Sequence, residues 1–225
     1  MKMMKMIDAM YKRHTVRKYL DKNLPDSFID VINERVEENN QKHLLNMKLI
    51  IKDSFAIPLF FRLFMCKGVK NYIILCGNHA KDLEERIGYA ACDLMLFAQT
   101  LGLNTWFVSG TYNKFHVHKK VKKSQILGIL VIGFGVNNGT PHKEKRTPLE
   151  VSSYMGNDAP EWFNNGVEAT LYAPTALNRQ NYKIVGNGNM VKIDMDDGVF
   201  HGIDKGIIKY HFELGAGKEN FEWEK

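Results

Sequence analysis

Two arginines four positions apart, with a histidine and a hydroxyl between them, are the first residues that point to chemistry: Arg13-His14-Thr15-Val16-Arg17. A guanidinium presents a rigid planar fork of donors, which suits a phosphate or a carbonyl edge better than a lysine ammonium does. On spacing alone this stretch also reads as a basic helix end followed by a solvated turn, because short motifs match often by chance. Two further stretches carry weight beside it: Ala173-Pro174-Thr175-Ala176-Leu177-Asn178-Arg179-Gln180 and Leu101-Gly102-Leu103-Asn104-Thr105-Trp106.

Other chemistries find little support. Cys66, Cys76 and Cys92 form no Cys-x-x-Cys pair and are odd in number, which suggests buried free thiols in a reducing cytoplasm. Gly186-Asn187-Gly188 has no third glycine at the offset of a dinucleotide fingerprint and reads better as a hairpin turn. Asp194, Asp196 and Asp197 miss the EF-hand spacing. His116 and His118 alternate as on one strand face but have no metal-ligand partners at the right spacing. No Gly-x-Ser-x-Gly elbow is present.

These residues must be positioned by a chain of 225 residues, enough for one large domain or two small ones. No apolar run reaches the roughly 18 residues of a spanning helix. Met1–Met10 is interrupted by Asp8 and does not have the pattern of a secretory signal. A first helix is expected over Ile7–Lys12, and a second over Ser27–Glu38, opened by Pro25-Asp26. Strands are expected at Met47–Lys52, Asn71–Cys76, Thr105–Val108 and Ile126–Phe134. A helix over Lys81–Thr100 is apolar nearly all round between Ile87 and Phe97, which marks it as central, and Gly102 ends it. Ser54–Cys66 gathers Phe55, Phe60, Phe61 and Phe64 around Pro58, as in a core helix, or else an apolar wall over a flat ligand.

The charge is uneven. Residues 1–150 carry 24 Lys and Arg against 14 Asp and Glu, and residues 151–225 carry 7 against 11. The lysines are dispersed except in His118–Lys123, so a nucleic-acid module is not favoured, whereas a positive field suits a phosphorylated cofactor. An internal repeat shows at a shift of 135 positions: Pro25-Asp26 falls on Pro160-Glu161, Phe28–Glu37 on Phe163–Tyr172, and Met47–Ile50 on Tyr182–Val185, without a gap. A looser shift of 113 places Leu101-Gly102 on Leu214-Gly215, each expected to close an apolar helix. The second part reads as a trimmed copy of the first.

Taken together, the three stretches resemble the flavin-dependent nitroreductase family, whose members carry an Arg-x-Ser/Thr-x-Arg start, an Ala-Pro-Ser/Thr-x-x-Asn-x-Gln stretch and a Gly-Leu-Gly-Thr-like strand entry. The chain is similar to a branch of that family built as fused half-repeats. The resemblance implies an α+β fold with a mixed central sheet packed by helices. It also implies an internal pseudo-dimer, with residues 1–150 as a nitroreductase-like first half and 151–225 as a shorter second half. It implies a tightly bound FMN held by Arg13, His14, Thr15 and Arg17 from the first half and by Pro174, Thr175, Ala176, Asn178 and Gln180 from the second. Ser109 and Gly110 would stand near the flavin N5, and Lys143, Lys145 and Arg146 would close on the phosphate. Where the family usually has an acidic residue before that glycine, this chain has Ser109.

The activity implied is hydride transfer from NAD(P)H to a small oxidised acceptor, such as a nitroaromatic or a quinone, in a ping-pong cycle in which no side chain need act as acid or base. A non-catalytic FMN-binding protein is the alternative. Small-molecule partners, no nucleic acid, no membrane, a cytoplasmic location, and a monomeric pseudo-dimer, with a homodimer through another surface allowed, complete the expectation.

Overall fold

A computed structural model of the chain describes residues 4–140, 146–156, 158–196 and 201–224. The first half begins with α1 (Met6–Lys12) and α2 (Asp26–His43), the latter led in by the extended Pro25. A proline just ahead of a helix loses nothing there, because the first amides have no intrahelical partner. The helix runs five residues past the expected Glu38, since its polar exposed face meets no breaker before Leu44, which closes it in the left-handed region at φ 51°. Next come β1 (Lys48–Ile50), α3 (Leu59–Phe64), β2 (Tyr72–Gly77), α4 (Leu83–Thr100), β3 (Asn104–Val108), α5 (Lys114–His118) and β4 (Gln125–Gly133). The second half holds α6 (Pro148–Val151), β5 (Ser152–Met155), α7 (Glu161–Thr170), β6 (Tyr182–Asn187), β7 (Met190–Met195), α8 (His201–Ala216) and β8 (Glu222–Trp223).

The chain is α+β, and its strands form two sheets packed by helices. The first, β1-β2-β4-β3, is antiparallel throughout; the second, β5-β6-β7-β8, is mixed. β2 is buried on both faces. Ile73 and Leu75 join the main core with α4, while Tyr72 and Ile74 join a second core with Val16, Trp106 and Val117. Alternate residues of a strand point to opposite faces, so one apolar run serves both cores. β6 buries Tyr182 and Ile184 and exposes Lys183, as befits a sheet with one wet face.

The helix–strand–strand–helix order of the first half recurs in the second. α2, β1, β2 and α4 are matched by α7, β6, β7 and α8, with each leading strand pair antiparallel. The strand after the long helix runs parallel to the second strand of the pair in both halves: β8 pairs with β7 directly, and β3 is separated from β2 by β4.

Three expectations change. Gly215 does not end a helix; α8 continues to Ala216, and Gly217 at φ +77° terminates it. His116 and His118 lie on the short helix α5, with Asn113 capping His116 N, not on a strand. The phenylalanine-rich stretch is not a core helix, because no residue of α3 is buried. Its proline and the extended Ile57 hold it to one short helical segment.

The long helices α4 and α8 meet at glycines. A Cβ on Gly206 would lie 2.0 Å from Glu85 O, and one on Gly88 would lie 2.0 Å from Ile203 O. Both obstacles are backbone atoms and cannot rotate away. Gly206→Ala is therefore expected to lower the unfolding free energy by about 1–3 kcal/mol, seen as a lower chemical-denaturation midpoint, despite the better helix propensity of alanine. An unchanged midpoint would mean that the helices separate freely.

Candidate functional site

One cleft of ≈ 500 Å³ collects most of the residues singled out in the sequence. Its walls include Arg13, His14, Thr15, Arg17, Ser109, Pro174, Thr175, Ala176 and Asn178. The arginine stretch leaves α1 in extended form and is pinned alongside β3, where Val16 N donates to Thr105 O at 3.1 Å and Thr15 bridges Thr105 in parallel. The 174–178 segment comes from the other half, between α7 and β6. The volume is in the range of small-molecule sites, about 300–1,000 Å³.

Arg13 is the most unusual group present. It is 93% buried, its Nε is buried without a hydrogen-bond partner, and among the described residues its guanidinium forms no ion pair. Burial pulls its pKa below the ordinary arginine value. Two more buried polar atoms of the cleft lack partners, His14 Nδ1 and Thr105 Oγ1. Burial, with help from Arg13, also lowers the His14 pKa, which favours the neutral imidazole. Leaving such atoms unpaired is costly, so a site that retains them points to a ligand that supplies the acceptors. Arg17, by contrast, is exposed and lies 5.5 Å from the Trp106 ring centroid. Met95, Trp106, Phe107, Leu177, Ile203 and Ile207 give the cleft apolar walls suited to a flat ring system.

The second-half loop is held in an unusual conformation. Leu177, Asn178 and Gln180 have φ of 53°, 56° and 50°. Asp204, near the start of α8, accepts from Ala176 N with both oxygens, at 2.9 and 3.0 Å. Gln180 is fully buried, donates from Nε2 to Leu171 O at 2.9 Å, and gives its own N–H to Thr175 Oγ1 at 3.2 Å. It supports the loop and does not line the cleft.

Three further expected residues stand elsewhere. Gly110 is exposed beside Ser109 and is not part of the cleft wall. Arg146 donates from Nη2 to Asn181 Oδ1 at 3.4 Å and is also absent from the wall. Lys143 and Lys145 lie outside the described residues. Sequence reasoning missed Asp204, Ile203 and Ile207, which fall on a helix whose start carries no motif; the 113-position match said only that α8 resembles the end of α4, not that the two pack together.

Behind Arg13, Cys92 and His211 are fully buried, with Sγ and Nδ1 3.2 Å apart. Burial pushes the thiol up and the imidazole down to about 3, so both are neutral. This pair is inert packing, not a reactive thiolate.

The model of the family described as "Putative TM nitroreductase" matches residues 5–216. A Thermotoga maritima structure described as a putative nitroreductase is similar at 21% identity and TM-score 0.70, covering 96% of this chain and 85% of its own. A nitroreductase-like protein from Streptococcus mutans matches at 13% identity and TM-score 0.54, over 68% of this chain and 97% of its own. An Exiguobacterium sibiricum protein, solved in complex with FMN, matches at 16% identity and TM-score 0.51, over 67% and 96%. None of the curated proteins matches.

Burial pushes the Asp204 carboxyl up to about 6 from its ordinary 3.8, the Ala176 N–H opposing the shift. The folded state therefore holds this proton more tightly than the unfolded chain. The associated stability is present below about 3.8 and is lost as pH rises through about 6. In Asp204→Asn, which keeps one acceptor for Ala176 N, the fall in thermal midpoint across that window should be smaller than in the wild type. Parallel profiles would show that Asp204 titrates normally.

Proposed function

This chain belongs to the nitroreductase family, and from that premise we propose that it is an FMN-dependent oxidoreductase taking hydride from NAD(P)H and passing it to a small oxidised acceptor such as a nitroaromatic or a quinone. The observation that carries the reading is the buried, unpartnered Arg13 in a cleft whose other wall is the 174–178 segment. Arg13, His14 and Thr15 offer donors to anionic or carbonyl oxygens, while Pro174, Thr175, Ala176 and Asn178 offer a second polar edge. Ser109 stands on the same wall as Trp106. FMN, once bound, would supply the hydride chemistry, and the chain would supply binding, orientation and a partly dry environment. The FMN complex of the Exiguobacterium sibiricum relative supports the choice of cofactor.

We read the chain as a pseudo-dimer that completes this site by itself. The repeated element order supports this, as does the fact that ordinary-length relatives cover only about two thirds of this chain. A second cleft, of ≈ 400 Å³, lies between α2, α4 and the end of α8, lined in part by Asn39, Lys42 and His43. At the 135-position shift these residues fall on Pro174, Leu177 and Asn178 of the first cleft. Its arginine is already committed: Arg35 Nε and Nη2 reach the two Asp93 oxygens at 2.7 and 2.6 Å, with Asn39 and Tyr210 completing the carboxylate's donors. Among the described residues, no buried cation is left unpaired there as Arg13 is; Lys42 is exposed.

The purified protein is accordingly expected to carry FMN, not FAD, at one per chain, and to bleach on addition of NAD(P)H. Mass analysis and the absorbance of the released cofactor test identity and ratio. FAD, or two flavins, would overturn the site assignment, and a yellow protein that does not bleach would favour the storage or sensing alternative.

Arg13→Ala, Arg17→Ala and Asn178→Ala should each weaken flavin binding, by about 1.5–3 kcal/mol where a charged hydrogen bond is lost. The loss should be largest at Arg13, whose burial leaves water no access. Wild-type affinity in flavin titrations of any of these variants would remove that residue from the site.

A further inference from the structure

The phenylalanine-rich stretch buries Ala56, Ile57 and Cys66 but leaves most of its large apolar side chains in water and outside the cleft, and these have a surface role of their own. Leu59, Phe60, Leu63 and Phe64 on α3 are 67%, 67%, 69% and 76% exposed, with Phe55 and Phe115 close to the same level. An apolar surface of this size on one protruding helix is unusual for a protein in water and marks an interaction site. It is firmly founded. Phe61 packs against the buried cluster of Ile57, Val117 and Trp106, Asn113 N donates to Ala56 O at 2.7 Å, and the Phe55 and His116 rings lie 5.7 Å apart. Residues 54–56, directly ahead of α3, are thus tied to α5, and the exposed apolar side chains of α3 and α5 are taken together as one surface.

The chain segments that form this surface are rich in cations and poor in acids. Residues 54–81 and 94–143 contain no aspartate or glutamate. The acid nearest in sequence, Asp53, is consumed by His116 and Lys120, both at 2.8 Å. Among the described residues, Arg62, Lys67, Lys114, Lys119, Lys122 and Lys123 form no ion pair. Lys119 lies over the Phe115 ring at 4.0 Å, its stem on apolar surface and its charge at the edge.

We propose that this patch docks the protein on an anionic lipid surface, with the α3 side chains entering the boundary between headgroups and acyl chains and the surrounding lysines meeting the phosphates. Apolar burial combined with attraction to anionic lipid is the physics of interfacial anchors. No helix among the described residues is long and apolar enough to cross a membrane, so the contact is adhesion and does not conflict with the missing span. In this the proposal departs from the expectation of no membrane partner. A second copy fits poorly, because face-to-face pairing would oppose two rings of unpaired cations. Single-stranded nucleic acid fits poorly too, because the Phe60 ring packs edge-on against Phe61 and tilts against Phe64, with aliphatic leucines between, leaving no row of open faces for bases. The inference stands apart from the cofactor reading, since neither α3 nor α5 lines the cleft.

The test is flotation of the full chain with vesicles of phosphatidylcholine, with and without phosphatidylserine. The protein should float with the anionic vesicles, stay behind with the neutral ones, and be released by salt. Phe60→Ser with Phe64→Ser, and separately Lys119→Glu with Lys122→Glu, should each weaken partition by about tenfold or more. All four residues are exposed or at the surface, so an unchanged circular dichroism spectrum and unfolding midpoint verify the fold. Failure to float with anionic vesicles overturns the proposal, as does partition that neither variant changes. Binding to a labelled oligonucleotide, or a concentration-dependent dimer, that the phenylalanine variant abolishes while vesicles are ignored would assign the patch to that partner instead.

Discussion

The approach of α4 to α8 through Gly88 and Gly206 is the constraint on which the rest of the structure depends. With no side chain between them at these points, backbone meets backbone, and the two halves become one packed body. The same contact fixes the floor of the cleft, because Met95 comes from α4 and Ile203 and Ile207 come from α8. It also sets Asp204 where it can hold Ala176. Polar ties lock the pair in register: Tyr210 of α8 reaches Asp93 of α4 at 2.8 Å, and Lys205 reaches Glu85 at 3.0 Å. Asp93 in turn holds Arg35 and Asn39 of α2, so one buried carboxylate joins three helices.

The two clefts on either side of this helix pair show how one architecture yields different electrostatics. Asp93 itself is fully served, with Arg35, Asn39 and Tyr210 donating to its two oxygens, and the buried ion pair is stabilised because no lone pair of the carboxylate is left over. Around Arg13 the opposite holds: its Nε is buried near the equally unpartnered His14 Nδ1 and Thr105 Oγ1, with no acceptor among the described residues. A fold gives up stability by retaining such a group, and the loss is recovered only when a complementary anion arrives, since binding to the folded state alone shifts the folding equilibrium toward it. In the proposed reading, the buried charge of Arg13 is what would favour an oxygen-rich, negatively charged ligand in the first cleft.

Much of this was legible in the sequence, for identifiable reasons. The apolar run Ile87–Phe97 announced a central helix because no face of it was polar, and Pro25 and Pro160 marked two helix starts because proline tolerates few other places. Asn187-Gly188 announced the β6–β7 hairpin through its turn chemistry. The arginine and 174–178 stretches were legible as motifs, yet nothing local said that they meet; that juxtaposition depends on α4 and α8 packing. Asp204 was invisible because an aspartate near a helix start is commonplace, and only its contact with Ala176 distinguishes it. The phenylalanine-rich stretch misled because apolar composition normally signals burial, whereas here Pro58 and the short run of helix turn those side chains outward.

The loop from Pro174 to Gln180 shows why Gln180 matters without touching the cleft. A leucine at φ 53° is disfavoured by its Cβ, and two more non-glycine residues within four positions share that region. Three such residues persist only if the surroundings determine the backbone more strongly than local preference does. Gln180 supplies one restraint, through Leu171 O and Thr175 Oγ1, and Asp204 supplies another at Ala176 N. Between these two anchors the chain has no freedom to relax, so the side chains of Leu177 and Asn178 are set by restraints that lie outside the cleft they line. The local strain is therefore the cost of a wall that is already in place before any ligand binds, which lowers the ordering entropy a ligand must overcome.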